Sequence, residues 1–238
     1  MKKSDPPETG NPVSNILVFD YDGTLTVEER TIPDSTIEAL REVKQRGLAI
    51  LGIVSGRDLE FLMEVNEHLS ELFSFLVAEN GAVYYFRDTG EESVKGIEWS
   101  RRAREVFAHL SFPHRFSQVM LSVRREHTPE ITELLRDSEL DAKLVPNRES
   151  LMVLPPNIDK GTGVAAAVQH YGETKDIMLT CFGDGENDEA LFGPADIGVA
   201  VSNAVESLKK IADVVTTQPG GYGVEEYLRE TLLAPLGS

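Results

Sequence analysis

The sequence predicts an α/β protein, a doubly wound parallel-sheet core interrupted by a small inserted α+β cap domain. Three observations predict this class. Short apolar runs of strand length alternate with segments of helical period. Those runs are apolar at successive positions, as strands covered on both faces are. The alternation lapses between about residues 84 and 155 and then resumes.

The run 15–20 is the first expected strand. Segment 33–46 reads as a helix: Ser35 and Glu38 have capping-box spacing, Ile37, Leu40 and Val43 share a face, and Gly47 ends it. A strand at 48–55, an amphipathic helix at 59–73 and a short strand at 75–78 follow. Within the insertion, helix signals lie at 100–110 and 129–135, and strand signals at 119–124, 143–145 and 151–154. The βα order returns with a helix from Lys160 that Gly172 closes. Strands at 177–182 and 197–201, a helix around 206–211, a strand at 214–216 and a helix at 223–233 complete it. Residues 1–13, rich in Pro, Lys, Asp and Glu, read as a flexible tail. The expected division is therefore a tail at 1–13, a core at 14–83 and 156–238, and a cap at 84–155.

At 238 residues, with 41% hydrophobic and 26% charged, the chain suits one main domain with an insertion. Forty acidic against 23 basic residues give a formal charge of −17, which opposes binding to nucleic acid or an anionic membrane surface. An anionic substrate would meet the same repulsion unless a local cation reversed it, as a bound metal does. The one cysteine, Cys181, has no partner for an internal disulfide, which suits a reducing cytoplasm. Its apolar surroundings read as core packing rather than as a nucleophile's environment. No apolar run approaches the ~18 residues of a membrane span. His68, His109, His114, His127 and His170 show no metal-ligand spacing, and Trp99, Phe107 and Phe112 are expected to build the cap core.

Four runs carry chemistry. In Phe19-Asp20-Tyr21-Asp22-Gly23-Thr24-Leu25-Thr26 two carboxylates follow a strand directly, where open α/β sheets place ligands. They repel each other unless a cation lies between them or one keeps its proton; alone, the run also reads as turn chemistry. Ser55-Gly56-Arg57 sets a hydroxyl and main-chain N–H groups at a helix start, either a phosphate cradle or an ordinary cap. Lys160 heads a helix, where the macrodipole favours an acid, so it reads as serving an anion or as a solvated lysine. Phe182-Gly183-Asp184-Gly185-Glu186-Asn187-Asp188 again follows an apolar strand. Asp184 can complete an oxygen-ligand set with Asp20 and the carbonyl of Asp22, of the kind magnesium takes, with Asp188 as an outer partner.

These four pieces, in this order and across nearly the whole chain, resemble the haloacid dehalogenase superfamily of phosphatases. Its motifs map onto Asp20 and Asp22, onto Ser55, onto Lys160, and onto Asp184 with Asp188. The stretches Gly198-Val199-Ala200-Val201 with Asn203-Ala204, and 212–216, are similar to the subgroup whose cap follows the third strand. The resemblance implies a Mg2+-dependent phosphomonoester hydrolase with an aspartyl-phosphate intermediate. It implies catalytic roles for Asp20, Asp22, Ser55 and Lys160, substrate contacts from Thr24, Ser55, Gly56, Lys160 and Asn187, and metal contacts from Asp20, Asp22, Asp184 and Asp188. The expected partner is a small phosphorylated metabolite, with no nucleic acid and no membrane, for a cytoplasmic monomer or homodimer. The compact cap resembles that of archaeal-type phosphoglycolate phosphatases; a sugar-phosphate phosphatase of the sucrose-phosphate or mannosyl-phosphoglycerate type is the alternative, then a phosphomutase. A phosphate-responsive signalling module is a further class, but such receivers are about half this length and carry no cap. A carboxylated substrate would need a cation from the cap, for which His114-Arg115 and Arg148 are the candidates.

Overall fold

The computed structural model describes residues 15–27, 31–172 and 177–234; the expected tail at 1–13 lies outside them. In chain order the strands and helices are β1 (Asn15–Asp20), α1 (Asp34–Gln45), β2 (Ile50–Val54), α2 (Leu59–His68), β3 (Phe75–Ala78), β4 (Val83–Phe86), β5 (Glu91–Val94) and α3 (Ile97–Val106). They continue with β6 (His114–Phe116), β7 (Leu121–Arg124), α4 (Thr128–Asp137), β8 (Lys143–Asn147), β9 (Ser150–Leu154) and α5 (Lys160–Val168). The last are β10 (Met178–Gly183), α6 (Glu189–Phe192), β11 (Ile197–Ala200), α7 (Glu206–Ile211), β12 (Val214–Val215) and α8 (Gly220–Thr231).

One sheet has the order β12-β11-β10-β1-β2-β3-β4-β5, and its first six strands run parallel. Side chains alternate along each strand, so both faces are buried. Leu17, Phe19, Leu51 and Ile53 pack with Leu40 of α1, Leu62 of α2 and Leu228 of α8. Ile16, Val18, Phe75 and Val77 pack on the other face with Val164 and Val168 of α5. A second, antiparallel sheet has the order β6-β7-β9-β8. Leu151 and Val153 of β9 join Ala103 of α3 and Ile131 of α4, while Met152 and Leu154 turn to the main core. Phe107 is buried in this smaller core, and Trp99 and Phe112 pack against it as expected.

The structure corrects four expectations. The expected start of the insertion, residue 84, falls inside β4. Positive φ at Glu79, Asn80 and Gly81 (49°, 51° and 104°) turns the chain back, and β4 and β5 extend the large sheet as two antiparallel strands. The helix expected over 59–73 stops at His68, because Ser70 and Glu71 take left-handed backbone. Ser35 and Glu38 form no capping box; Pro33 is the cap, and the Ser35 hydroxyl donates to Glu225 of α8 at 2.5 Å. The strand expected from Val119 begins at Leu121, since the N–H groups of Val119 and Met120 are held by Glu79.

Candidate active site

β1 pairs with β10 on one side and β2 on the other, with Phe19 opposite Phe182 and Asp20 opposite Val54. Asp20 therefore ends β1 beside Ser55, one residue past β2, and Asp184, one residue past β10. The chain builds the sheet rightward from β1 and later leftward from β10, so these three residues stand at the point where the winding reverses, the usual ligand site of such sheets. Gly23, with φ +88°, makes the tight approach possible, because a Cβ there would lie 2.5 Å from Asp184 Oδ2.

α5 brings the fourth piece. Asp159 caps it, accepting the Thr162 N–H at 2.8 Å, while the Thr162 hydroxyl accepts the Asp159 N–H at 2.9 Å. Gly163 packs against Gly81 with no space for a side chain, which seats the helix under the loop after β3. Lys160 on the first turn is 1% exposed, and its ammonium donates to Asp20 Oδ1 at 2.5 Å and Asp188 Oδ1 at 2.6 Å. Burial by itself would lower its pKa; the carboxylates of Asp188 and Asp20 more than reverse this, and its pKa rises.

Asp20, Asp184 and Asp188 form a buried cluster with one oxygen from each within 4.8 Å of the others. Burial raises the pKa of Asp20 well above the usual carboxylate value, Lys160 opposes the rise, and the charges of Asp188 and Asp184 add to it. Asp184 is raised likewise, by burial first and then by Asp188. The three acids carry more negative charge than Lys160 balances, and all their donors are carboxylate oxygens. The cluster therefore fits a hard divalent cation. Asp188 is the innermost of the three: its Oδ2 accepts the N–H groups of Asp184 and Gly185, both at 2.9 Å, and fixes the loop after β10.

The other expected site residues divide into two groups. Ser55 and Gly56 line a cleft of about 610 Å³ together with Asp20, Asp22 and Asn187. The Thr24 hydroxyl faces inward instead and donates to Asp184 Oδ1 at 3.1 Å, away from the cleft wall. The metal contact expected of Asp22 is through its main-chain carbonyl, and its carboxylate lies outside the acidic cluster. Arg57 draws it aside with a two-pronged bond, Nε to Oδ2 at 2.8 Å and Nη2 to Oδ1 at 2.7 Å. Asn187 donates to Asn80 at 3.1 Å.

Sequence reasoning missed Arg57, although it stands in the Ser55-Gly56-Arg57 run, and it missed Glu79 and Asn80. The second sheet supplies the far wall of the cleft with Arg115, Ser117, Met120, Asn147 and Arg148. Arg115 pairs with Asp58, Arg148 with Asp184, and Arg125 with Glu186 at 3.1 Å, so three bridges join the second sheet and its loops to the core. The histidines lie away from this site: His170 pairs with Asp88, and His127 stacks on Phe112. No helix among the described residues is long and apolar enough to cross a membrane.

Comparison with known proteins gives the same frame. The family profile of haloacid dehalogenase-like hydrolases matches residues 17–111 and 108–228. A curated relative, phosphoglycolate phosphatase 2 of Saccharolobus solfataricus, is 32% identical over 228 residues, 93% of this chain and 94% of that protein. A haloacid dehalogenase-like hydrolase from Bacteroides thetaiotaomicron superposes with a TM-score of 0.74 at 20% identity, covering 91% of this chain and 98% of that one. The sucrose-phosphatase of Synechocystis, solved with sucrose and phosphate, has a TM-score of 0.70 at 17% identity, with 91% and 97% covered. The chain belongs to the haloacid dehalogenase-like hydrolases and is a phosphoric monoester hydrolase of that family.

Proposed function

We propose that the protein hydrolyses small phosphomonoesters by way of an aspartyl-phosphate on Asp20, with Mg2+ as cofactor and 2-phosphoglycolate as substrate. The observation that carries this reading is the buried Lys160 ammonium held between Asp188 and Asp20, the latter a residue of the cleft lining. A carboxylate meets a phosphate dianion only if its charge is neutralised. A buried lysine bonded to one oxygen of Asp20 begins that neutralisation and orients the other oxygen.

Asp20 attacks phosphorus in line and forms the acyl phosphate as the ester oxygen leaves. Asp22, steered by Arg57, gives that oxygen its proton and then takes one from the water that hydrolyses the acyl phosphate. Ser55 and the N–H groups after β2 receive a phosphoryl oxygen, and Asn187 and Gly56 border it. Asp20, Asp184 and the carbonyl of Asp22 would hold Mg2+, with Asp188 behind them; the bound ion supplies positive charge to the phosphoryl oxygens. We place the cap at residues 97–154, closing the cleft against water.

The substrate assignment draws on the names of the curated relatives and on the arginines of the far wall, since a carboxylate on the leaving group calls for a cation. One observation favours a second reading. A cleft of about 610 Å³ also has room for a hexose phosphate.

The test is phosphate release from 2-phosphoglycolate, hexose phosphates, nucleotides and an aryl phosphate, with Mg2+ and with chelator. Preference for phosphoglycolate, lost on chelation, is the expected result. Preference for a hexose phosphate keeps the chemistry and replaces the substrate. No metal-dependent release from any compound overturns the reading.

A further inference from the structure

Arg148 stands at the tip of the β8–β9 hairpin with φ +51°, a left-handed backbone that long side chains seldom take. Its backbone is pinned to the loop after β10. The Arg148 N–H donates to Glu186 Oε2 at 2.8 Å, and Arg125 Nη1 reaches both the Arg148 carbonyl at 3.2 Å and Glu186 Oε1 at 3.1 Å. The guanidinium is held separately, by a bond from Nη2 to Asp184 Oδ2.

That bond occupies a member of the acidic cluster. Asp184 has two oxygens: Oδ1 accepts the Thr24 hydroxyl and Oδ2 accepts Arg148. Asp184 is 2% exposed, whereas the Arg148 side chain is 59% exposed and lines the cleft. The arginine therefore lies between Asp184 and the cleft, and its positive charge stands where a cation bound through Asp184 would repel it.

We infer that Arg148 and a divalent cation compete for Asp184, and that the guanidinium released by the cation turns into the cleft to receive an anionic group on the substrate's leaving side. The second half rests on the phosphatase reading; the first does not. The pinned backbone keeps the residue at the cleft through the exchange, and the flexible side chain makes the swing without moving the hairpin. Cation loading and recognition of a second anionic group become one event. A substrate without that group gains nothing from it.

The experiment is calorimetric titration of Mg2+ into the wild type, Arg148→Gln and Arg148→Asn, without substrate. The thermal midpoint of each protein serves as the folding control. Asn tolerates left-handed backbone, so it guards against failure of the Gln variant. If the Arg148–Asp184 bond is closed in nine molecules of ten, removing it tightens the apparent dissociation constant for Mg2+ about tenfold. KM for 2-phosphoglycolate then rises about tenfold in the same variants, while that for p-nitrophenyl phosphate stays within about twofold. Equal Mg2+ affinity in folded variants overturns the competition, and equal KM changes for both compounds overturn the capture of the anionic group. Absence of phosphate release by the wild type would instead remove the phosphatase reading, and the calorimetry would still decide the competition.

Discussion

The carboxylate of Glu79 accepts the main-chain N–H of Val119 at 2.8 Å, joining the end of β3 to the loop that leads into β7. The same carboxylate takes the N–H groups of Gln118 and Met120, both at 2.9 Å, and Glu79 is 0% exposed. The small sheet is thus hung on the large one by a buried charge with three donors. Next to it, Asn80 donates to the Met152 sulfur and accepts from Asn187, which extends the link to the cleft.

Glu79→Ala leaves three inward N–H groups without an acceptor and is expected to cost roughly 3–5 kcal/mol, the scale for breaking a buried charged network. Glu79→Gln, which keeps one acceptor oxygen, should lose less. Urea unfolding midpoints measure the cost, and hydrogen exchange at residues 118–120 should quicken in both variants. An unchanged midpoint in Glu79→Ala would show that the clasp does not bear on stability.

Arg57 acts on Asp22 through a planar fork and also lies over the Phe61 ring, 4.9 Å from its centroid. If Asp22 is the acid and base, Arg57→Ala should lower kcat by about 100-fold through loss of aim, with a smaller change in KM. Arg57→Lys keeps the charge without the fork and should recover little. Steady-state kinetics on one substrate decides it; full activity in Arg57→Lys would mean that only the charge matters.

Asp159 gives a pH dependence with a definite sign. Burial pushes its carboxyl up, but the Lys143 ammonium, the Thr162 N–H and the Thr162 hydroxyl outweigh burial and hold it below the usual 3.8. A group lowered in the folded state adds stability that is complete above its unfolded pKa and is lost as the pH falls through its folded one. Asp159→Asn keeps an acceptor for the Thr162 N–H while losing the Lys143 pair. It should therefore be less stable than wild type at neutral pH, and the gap should close as the pH drops below about 4. Thermal midpoints across that range measure it; a gap independent of pH would assign the effect to something other than this charge.

The parts of this site that the sequence makes legible are those set by strand ends. Asp20, Ser55 and Asp184 each follow an apolar run, so their convergence at one sheet edge is a consequence of parallel pairing alone. Lys160 was legible as a cation in the wrong place on a helix. The Glu79 clasp was not, because its partners are main-chain N–H groups 39 to 41 residues away and leave no pattern in side-chain type. Arg57 reaches back 35 residues to Asp22, and local spacing does not report such a pair. The β4–β5 hairpin was hidden because its outer strand, Glu91-Glu92-Ser93-Val94, is mostly polar, so it is its antiparallel pairing with Val83–Phe86 that marks it as strand.

In the proposed mechanism Asp20 carries the phosphoryl group. The direct test is to mix enzyme with Mg2+ and a phosphomonoester labelled in its phosphoryl group, quench in acid within milliseconds, and map the label by proteolysis and mass spectrometry. Acid-stable, hydroxylamine-labile label is expected on the peptide containing Asp20, with neither label nor turnover in folded Asp20→Asn. Turnover in Asp20→Asn, or label on another residue, would contradict that mechanism.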